Sequence, residues 1–237
     1  MVENTINETI KRITFEEYLL YVPEDDFQYE LDEGRLIKIE KSIGLKKNIA
    51  DFLVYEIERY LITKNLPFLV KTSLGVRTDK ASFRIPDLLV CANNLWQEMV
   101  KKNSTNLFNT GEVPELVIEV VGEDRRTDYI KKPTEYALSH IYEYWIIDMA
   151  KERVKFLTNG VQEEGYNEKF LLKGEDLVSE RFPGLIISVD QIFSPPSLQD
   201  LRQEKEMQLL KELDEANQRV AKLAAKLREM GVNIEEI

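Results

Sequence analysis

The strongest constraint in this chain is a pair of short runs that each set one carboxylate inside an otherwise apolar strand. They are RIPDLLV, Arg84 to Val90, and PELVIEVV, Pro114 to Val121. Runs this apolar read as strands covered on both faces of a sheet, and an ionised side chain there is costly unless it is paired. A protein that keeps Asp87 and Glu119 in such places needs a cation beside them. Two carboxylates together suit a hard divalent metal, and that combination points to phosphodiester chemistry.

Composition narrows the alternatives. With 237 residues, of which 43% are hydrophobic and 32% charged, the chain can bury one substantial core, which excludes wholesale disorder. It has neither a membrane-length apolar run nor a basic-then-apolar leader, so the expectation is a cytoplasmic protein with no membrane partner. One cysteine, Cys91, can form neither an internal disulfide nor a thiolate zinc cluster. The single histidine, His140, is the only route to a serine–histidine triad, which leaves base chemistry to that one imidazole or to carboxylates, lysine or metal-bound water. The net charge of −11 opposes nucleic-acid binding, although the doublets Lys46-Lys47, Lys101-Lys102, Arg125-Arg126 and Lys131-Lys132 offer local positive fields.

The pattern along the chain is mixed α/β, a central sheet with helices packed on it. Thr14 to Glu17 has capping-box form and predicts a short helix to about Tyr21. Phe27 to Leu31 and Arg35 to Glu40 read as a hairpin that turns at Gly34. Asn48 to Ile62 places Ile49, Phe52, Leu53, Ile57, Tyr60 and Leu61 on one helical face. Phe68 to Thr72, Leu74 to Arg77 and Phe83 to Cys91 read as strands, the last with Pro86 at an edge or bulge. A helix is predicted over Asp128 to Ser139, then strands at Tyr142 to Asp148 and Arg153 to Thr158. Asn159-Gly160 signals a hairpin to Val161–Gly165.

The C-terminal segment differs in kind. Ser194-Pro195-Pro196 breaks the chain, which divides it into residues 1–193 and 194–237, and Ser197 reads as the N-cap of a long helix. Leu209, Leu213, Ala216, Val220, Leu223, Leu227 and Met230 alternate at spacings of four and three, the seam of a coiled coil. This predicts a homodimer, with a helix lying back on its own domain as the alternative. The segment carries seven basic and nine acidic residues, so the body alone keeps −9.

If the stretch between them folds over the sheet, Asp87 and Glu119 fall on neighbouring strands and could share one Mg²⁺ or Mn²⁺, with the carbonyl of Val120 as a further oxygen ligand. RIPDLLV, PELVIEVVGEDRRTDYIKKPTEYA and IYEYWIID, in this order, resemble the PD-(D/E)xK nuclease superfamily and within it the Uma-two family of restriction-endonuclease-like proteins. YELDEGRLIKIE resembles that family's N-terminal hairpin, so the likeness runs from about residue 14 to 190. The resemblance implies a DNA endonuclease on a mixed sheet flanked by helices, with Asp87, Glu119 and Glu30 at the metal.

The superfamily's lysine would follow Glu119 by two places, where this chain has Val121. The family's alternative is a Lys-x-x-x-Tyr pattern on the next helix, matched here by Lys132 and Tyr136. That implies Lys132 as the catalytic lysine, Lys131 as its rival and Tyr136 as support. His140 stands where the family commonly has glycine, and no histidine occurs near Lys46 to Asn48, where it often has one. Trp145 is expected in the core and Asp148 at a strand-ending turn. The missing Glu-x-Lys lysine and the acidic body leave room for a second function class, a non-catalytic interaction module on the same scaffold.

Overall fold

The computed structural model describes residues 12–39, 43–101, 107–108, 113–121, 127–159 and 165–229. The chain divides into two units, Met1–Pro195 and Pro196–Ile237. Lys102, Arg125, Arg126, Met230 and all but Gly165 of the predicted strand over Val161–Gly165 lie outside the described residues.

The body opens with helix α1, Phe15–Leu19, whose capping box forms as the sequence predicts. Thr14 Oγ1 accepts from the Glu17 amide at 3.1 Å and the Glu17 carboxylate from the Thr14 amide at 2.8 Å. Strands β1, Tyr29–Asp32, and β2, Arg35–Lys38, pair antiparallel around Glu33 and Gly34, both at positive φ as a two-residue primed turn requires. Helix α2 spans Gly44–Thr63 and buries the six apolar residues that its periodicity marks. It begins four residues earlier than the pattern suggests, because Ile43 makes no side-chain cap to announce the start.

Phe83 to Cys91 is not one strand. After β3, Phe68–Lys71, and β4, Gly75–Asp79, the chain forms β5, Ser82–Arg84, breaks at Ile85-Pro86-Asp87, and resumes as β6, Leu88–Ala92. These two strands belong to different sheets. Pro86 therefore marks a crossing between sheets and not a bulge within one. Proline, which lacks an N–H and disfavours helix in the residue before it, suits such a break.

The remaining body elements are helix α3, Asn93–Lys101, strand β7, Leu107–Phe108, strand β8, Leu116–Val121, a π-helical turn at Thr127–Lys131, and helix α4, Lys132–Leu138. Strands β9, Glu143–Asp148, β10, Arg153–Thr158, and β11, Asn167–Leu172, follow. Strands β12, Asp176–Val178, and β13, Ile186–Ser188, form a separate hairpin before helix α5, Val189–Phe193. The predicted helix over Asp128 to Ser139 is thus two pieces, with Pro133 in the first turn of the α-helical part.

One sheet runs β2-β1-β5-β4-β7 and the other β11-β10-β9-β8-β6-β3. In the second, β8 pairs parallel to β9 and antiparallel to β6. Alternation along its central strands sends Leu89, Cys91, Val117, Val121, Tyr144 and Ile146 to one face, where they pack with Met99 of α3 and Tyr136 of α4. Leu88, Val90, Leu116, Ile118 and Trp145 take the opposite face, and α2 packs on this sheet against β3 and β8. Both faces are covered, which is why the strands read as nearly continuous apolar runs.

The end of α4 explains His140. The amide of Ile141 bonds the Tyr136 carbonyl at 3.0 Å and that of His140 bonds Ala137 at 2.9 Å, a Schellman arrangement with His140 at φ 61°. This left-handed position favours glycine, and a side chain there is strained. His140→Gly is expected to stabilise the body by about 0.5–1 kcal/mol after the extra entropy of unfolded glycine is subtracted. Urea unfolding of the variant checks this, and an unchanged midpoint contradicts it.

The second unit holds helix α6, Leu198–Glu229, with Ser197 Oγ accepting from the Asp200 amide at 3.1 Å as an N-cap.

Candidate active site

Alternation builds the site. In β1, Leu31 turns into an apolar cluster with Phe15 and Phe83, which sends Glu30 and Asp32 to the opposite face. In β8, Glu119 lies between Val117 and Val121 on the face that α4 covers, and is 5% exposed. Asp87 stands at the crossing between the two sheets, immediately before β6.

The β6–β8 register pairs Leu88 with Ile118, so two residues further on Pro86 would stand opposite Val120. Proline has no N–H to donate, and the ladder cannot continue. The Val120 amide is instead taken by Asp87 Oδ2 at 2.7 Å. Because N–H and C=O of one residue leave a strand on the same edge, the Val120 carbonyl faces the edge on which Asp87 sits. A carboxylate and a backbone carbonyl thereby meet beside the end of β6, two residues of sequence doing what a longer β6 would prevent.

Lys132 occupies the centre of the acids. Its Nζ lies 2.7 Å from Glu119 Oε1, 3.0 Å from Asp128 Oδ1 and 3.2 Å from Glu30 Oε1, and the residue is buried. Tyr136 donates to the same Glu119 oxygen at 3.3 Å. Helical spacing puts Asp128, Lys132 and Tyr136 on one face, so the Lys-x-x-x-Tyr pattern projects both donors onto Glu119. Lys131 instead reaches Asp32 at 2.9 Å and Glu33 at 3.4 Å, near the surface.

Glu30 Oε1 also accepts from the Ile85 amide at 3.0 Å, and its Oε2 lies 3.4 Å from Arg84. Arg84, 1% exposed, bonds Asp32 at 2.6 Å and grips both oxygens of Glu135 at 2.6 and 2.7 Å. This fork joins β1, β5 and α4. On the other side of the site Lys46, in the first turn of α2, lies 2.9 Å from Asp87 Oδ1.

The acids outnumber the cations. Burial drives the Glu119 carboxyl upward, Lys132 opposes this, and the nearby charges of Asp128, Asp87 and Glu30 reinforce it, so its pKa lies well above the ordinary carboxylate range. Burial pulls Lys132 the other way, but Glu119, Glu30 and Asp128 together overcome it and hold the ammonium charged. One ammonium divided among three carboxylates leaves the deepest of them undercompensated. Tyr136, raised by burial and by Glu119 and Glu30, remains a phenol and a donor.

The structure thus brings Glu30, Glu119, Lys132 and Tyr136 into direct contact and sets Asp87 beside them through Val120. Among the described residues, no group of three His, Cys, Asp or Glu side chains is disposed to hold a metal ion. Glu30, expected at the metal, is instead engaged by Lys132, Arg84 and the Ile85 amide, and Asp87, Glu119 and the Val120 carbonyl form a donor set that fits a hard cation retaining several waters. Sequence reasoning gave no site role to Arg84, Asp128 or Glu135, and took Lys46 only as part of a local positive field. Lys46 carried a signal, since a basic first turn opposes the helix dipole and so asks for a partner. Trp145 is fully buried, with its indole N–H on Glu143 at 2.7 Å, and Asp148 ends β9 and accepts from the Lys151 amide at 3.0 Å.

The fold is that of a nuclease-like α/β protein. A solved structure titled as "a putative nuclease belonging to DUF820" from Anabaena variabilis ATCC 29413 superposes with a TM-score of 0.62 at 20% identity, covering 77% of this chain and 98% of that one. Residues 15–190 match the Uma2 family, described as "Putative restriction endonuclease", and the chain belongs to that family. No curated protein matches the chain. No helix among the described residues is long and apolar enough to cross a membrane.

Proposed function

We propose that the protein is a metal-dependent DNA endonuclease, with Mg²⁺ or Mn²⁺ held by Asp87, Glu119 and the carbonyl of Val120. The observation that carries this reading is the break at Pro86, which ends β6 where Asp87 and the Val120 carbonyl share an edge next to Glu119. When bound, the metal supplies Lewis-acid activation of water and neutralises charge on the phosphate.

The chain's own groups do the rest. Lys132 presents a compact, fully charged ammonium beside Glu119, suited to orienting a water or stabilising developing phosphate charge. Glu30, in contact with Lys132 and fixed by the Ile85 amide, acts as the third acid by positioning that ammonium. Tyr136 holds the Glu119 oxygen in place. Lys46, bonded to Asp87 and partly exposed, is placed to exchange that partner for a phosphate oxygen when substrate arrives. A cleft of about 510 Å³ opens beside Asp87, lined by Gln28, Lys47, Thr72 and Ser73 together with Asp26 and Asp51. Lys47 is the one cation among the described residues of that lining, so few phosphates are neutralised there and the salt dependence of DNA binding should be shallow.

The test is cleavage of plasmid DNA by the purified chain with Mg²⁺, Mn²⁺ or EDTA, paired with thermal unfolding in the same buffers. Cutting that needs the divalent ion, and a rise in melting temperature because the ion binds only the folded state, are the expected results. Neither effect at millimolar metal overturns the reading in favour of a non-catalytic interaction module. That second reading has its own support in the saturation of Lys132 by three carboxylates and in Val121 at the place of the usual lysine.

A further inference from the structure

Helix α6 carries an exposed stripe at Leu209, Leu213, Val220 and Leu223, with Ala216 and Leu227 on the same seam. Its charges are segregated. From Leu198 to Glu215 there are six acids against three bases, whereas from Ala216 to Glu229 there are four bases against one acid. Such a gradient also complements a helix dipole, but that effect is confined to the first and last turns, while this one runs the whole length.

We propose that α6 pairs with α6 of a second copy in antiparallel orientation. Assigning Leu213, Val220 and Leu227 to one core position of the heptad and Leu209, Ala216 and Leu223 to the other fixes the register. Leu213 meets Leu223 of the second copy, Val220 meets Ala216, and Leu227 meets Leu209. The two-fold axis then passes at Gln218. The acidic half of each helix lies along the basic half of its mate, and Glu212 faces Lys226 twice across the dimer, which outweighs the single like-charge contact of Arg219 with itself at the axis. On the other flank Leu210, 60% exposed, covers Ala224 of the second copy, and Asn217 meets itself.

The parallel alternative satisfies none of this. It opposes Lys205 to Leu210, Glu212 to Asn217 and Arg219 to Ala224, and it lays acid on acid and base on base. Orientation in coiled coils is set largely by such flanking charges and by the repulsions that exclude the wrong pairing. At 1.5 Å per residue the two copies of Leu198 stand about 60 Å apart along the axis, so the bodies attach at opposite ends of the rod.

The experiment uses the full chain. Sedimentation at micromolar concentration should give a dimer. Oxidised alone, the Leu213→Cys and Leu223→Cys proteins should not cross-link to themselves, whereas their mixture should form a mixed disulfide, native Cys91 being buried. Glu212→Lys should weaken the dimer at least about threefold, and the exchange Glu212→Lys with Lys226→Glu should restore it. A monomer, a larger assembly, or self-cross-linking of either cysteine variant overturns the proposal. All these positions are exposed, and circular dichroism of each variant confirms that the helix is retained.

Discussion

Replacing Arg84 with methionine is expected to destabilise the protein by about 3–5 kcal/mol, a large share of the about 5–15 kcal/mol available to a domain. The guanidinium is almost wholly buried and serves Glu30, Asp32 and Glu135 at once. Burial lowers its pKa, but Glu135, Glu30 and Asp32 more than reverse this, so it is charged at any pH at which the fold survives. Methionine fills much of the volume but leaves three carboxylates that Lys131 and Lys132 must then share with Glu119 and Asp128. Arg84→Lys keeps the charge but cannot fork between Glu135 and Asp32, so it should fall between the variant and the parent. Urea unfolding measures both, and a loss below about 1 kcal/mol for methionine would show that the network is dispensable.

The second large effect is on activity with the fold preserved. In Asp87→Asn, the remaining carbonyl oxygen can still accept from the Val120 amide, so the strand end is held. The charge that would bind metal is gone, and Lys46, 28% exposed at its side chain, can turn to solvent. Cleavage should fall by more than about 100-fold, beyond the loss typical of groups that only orient metal ligands. The Mn²⁺-dependent rise in melting temperature should vanish with it, while unfolding without metal changes little. Retention of both cleavage and the metal-dependent shift would remove Asp87 from the metal site and, with it, the nuclease reading as drawn.

Much of this could be read in the sequence, and for identifiable reasons. The stripe of α2, the capping box of α1, the N-cap of α6 and the hairpin at Gly34 are local patterns whose periodicity or turn chemistry has one good solution. The convergence of Glu119, Lys132 and Tyr136 was legible because helical spacing and the family pattern point the same way. The two-sheet arrangement was not, since RIPDLLV preserves its apolar character across Pro86 although the chain changes sheets there. Arg84 and Glu135 were hidden for a related reason. Their partners lie 51 residues apart in sequence, and no local rule links a strand residue to a helix beyond the next sheet. Lys46 was obscured by a helix that starts without a side-chain cap.

The Arg84 fork spans β1, β5 and α4, while Glu119 belongs to the other sheet and Asp87 stands at the crossing between the two. The groups around Lys132 therefore straddle a seam between two layers, Glu30 on one sheet and Glu119 on the other, so a displacement of one sheet against the other changes the distance from Lys132 to at least one of them. The geometry of this cluster is a property of the alignment between the sheets and of neither sheet alone.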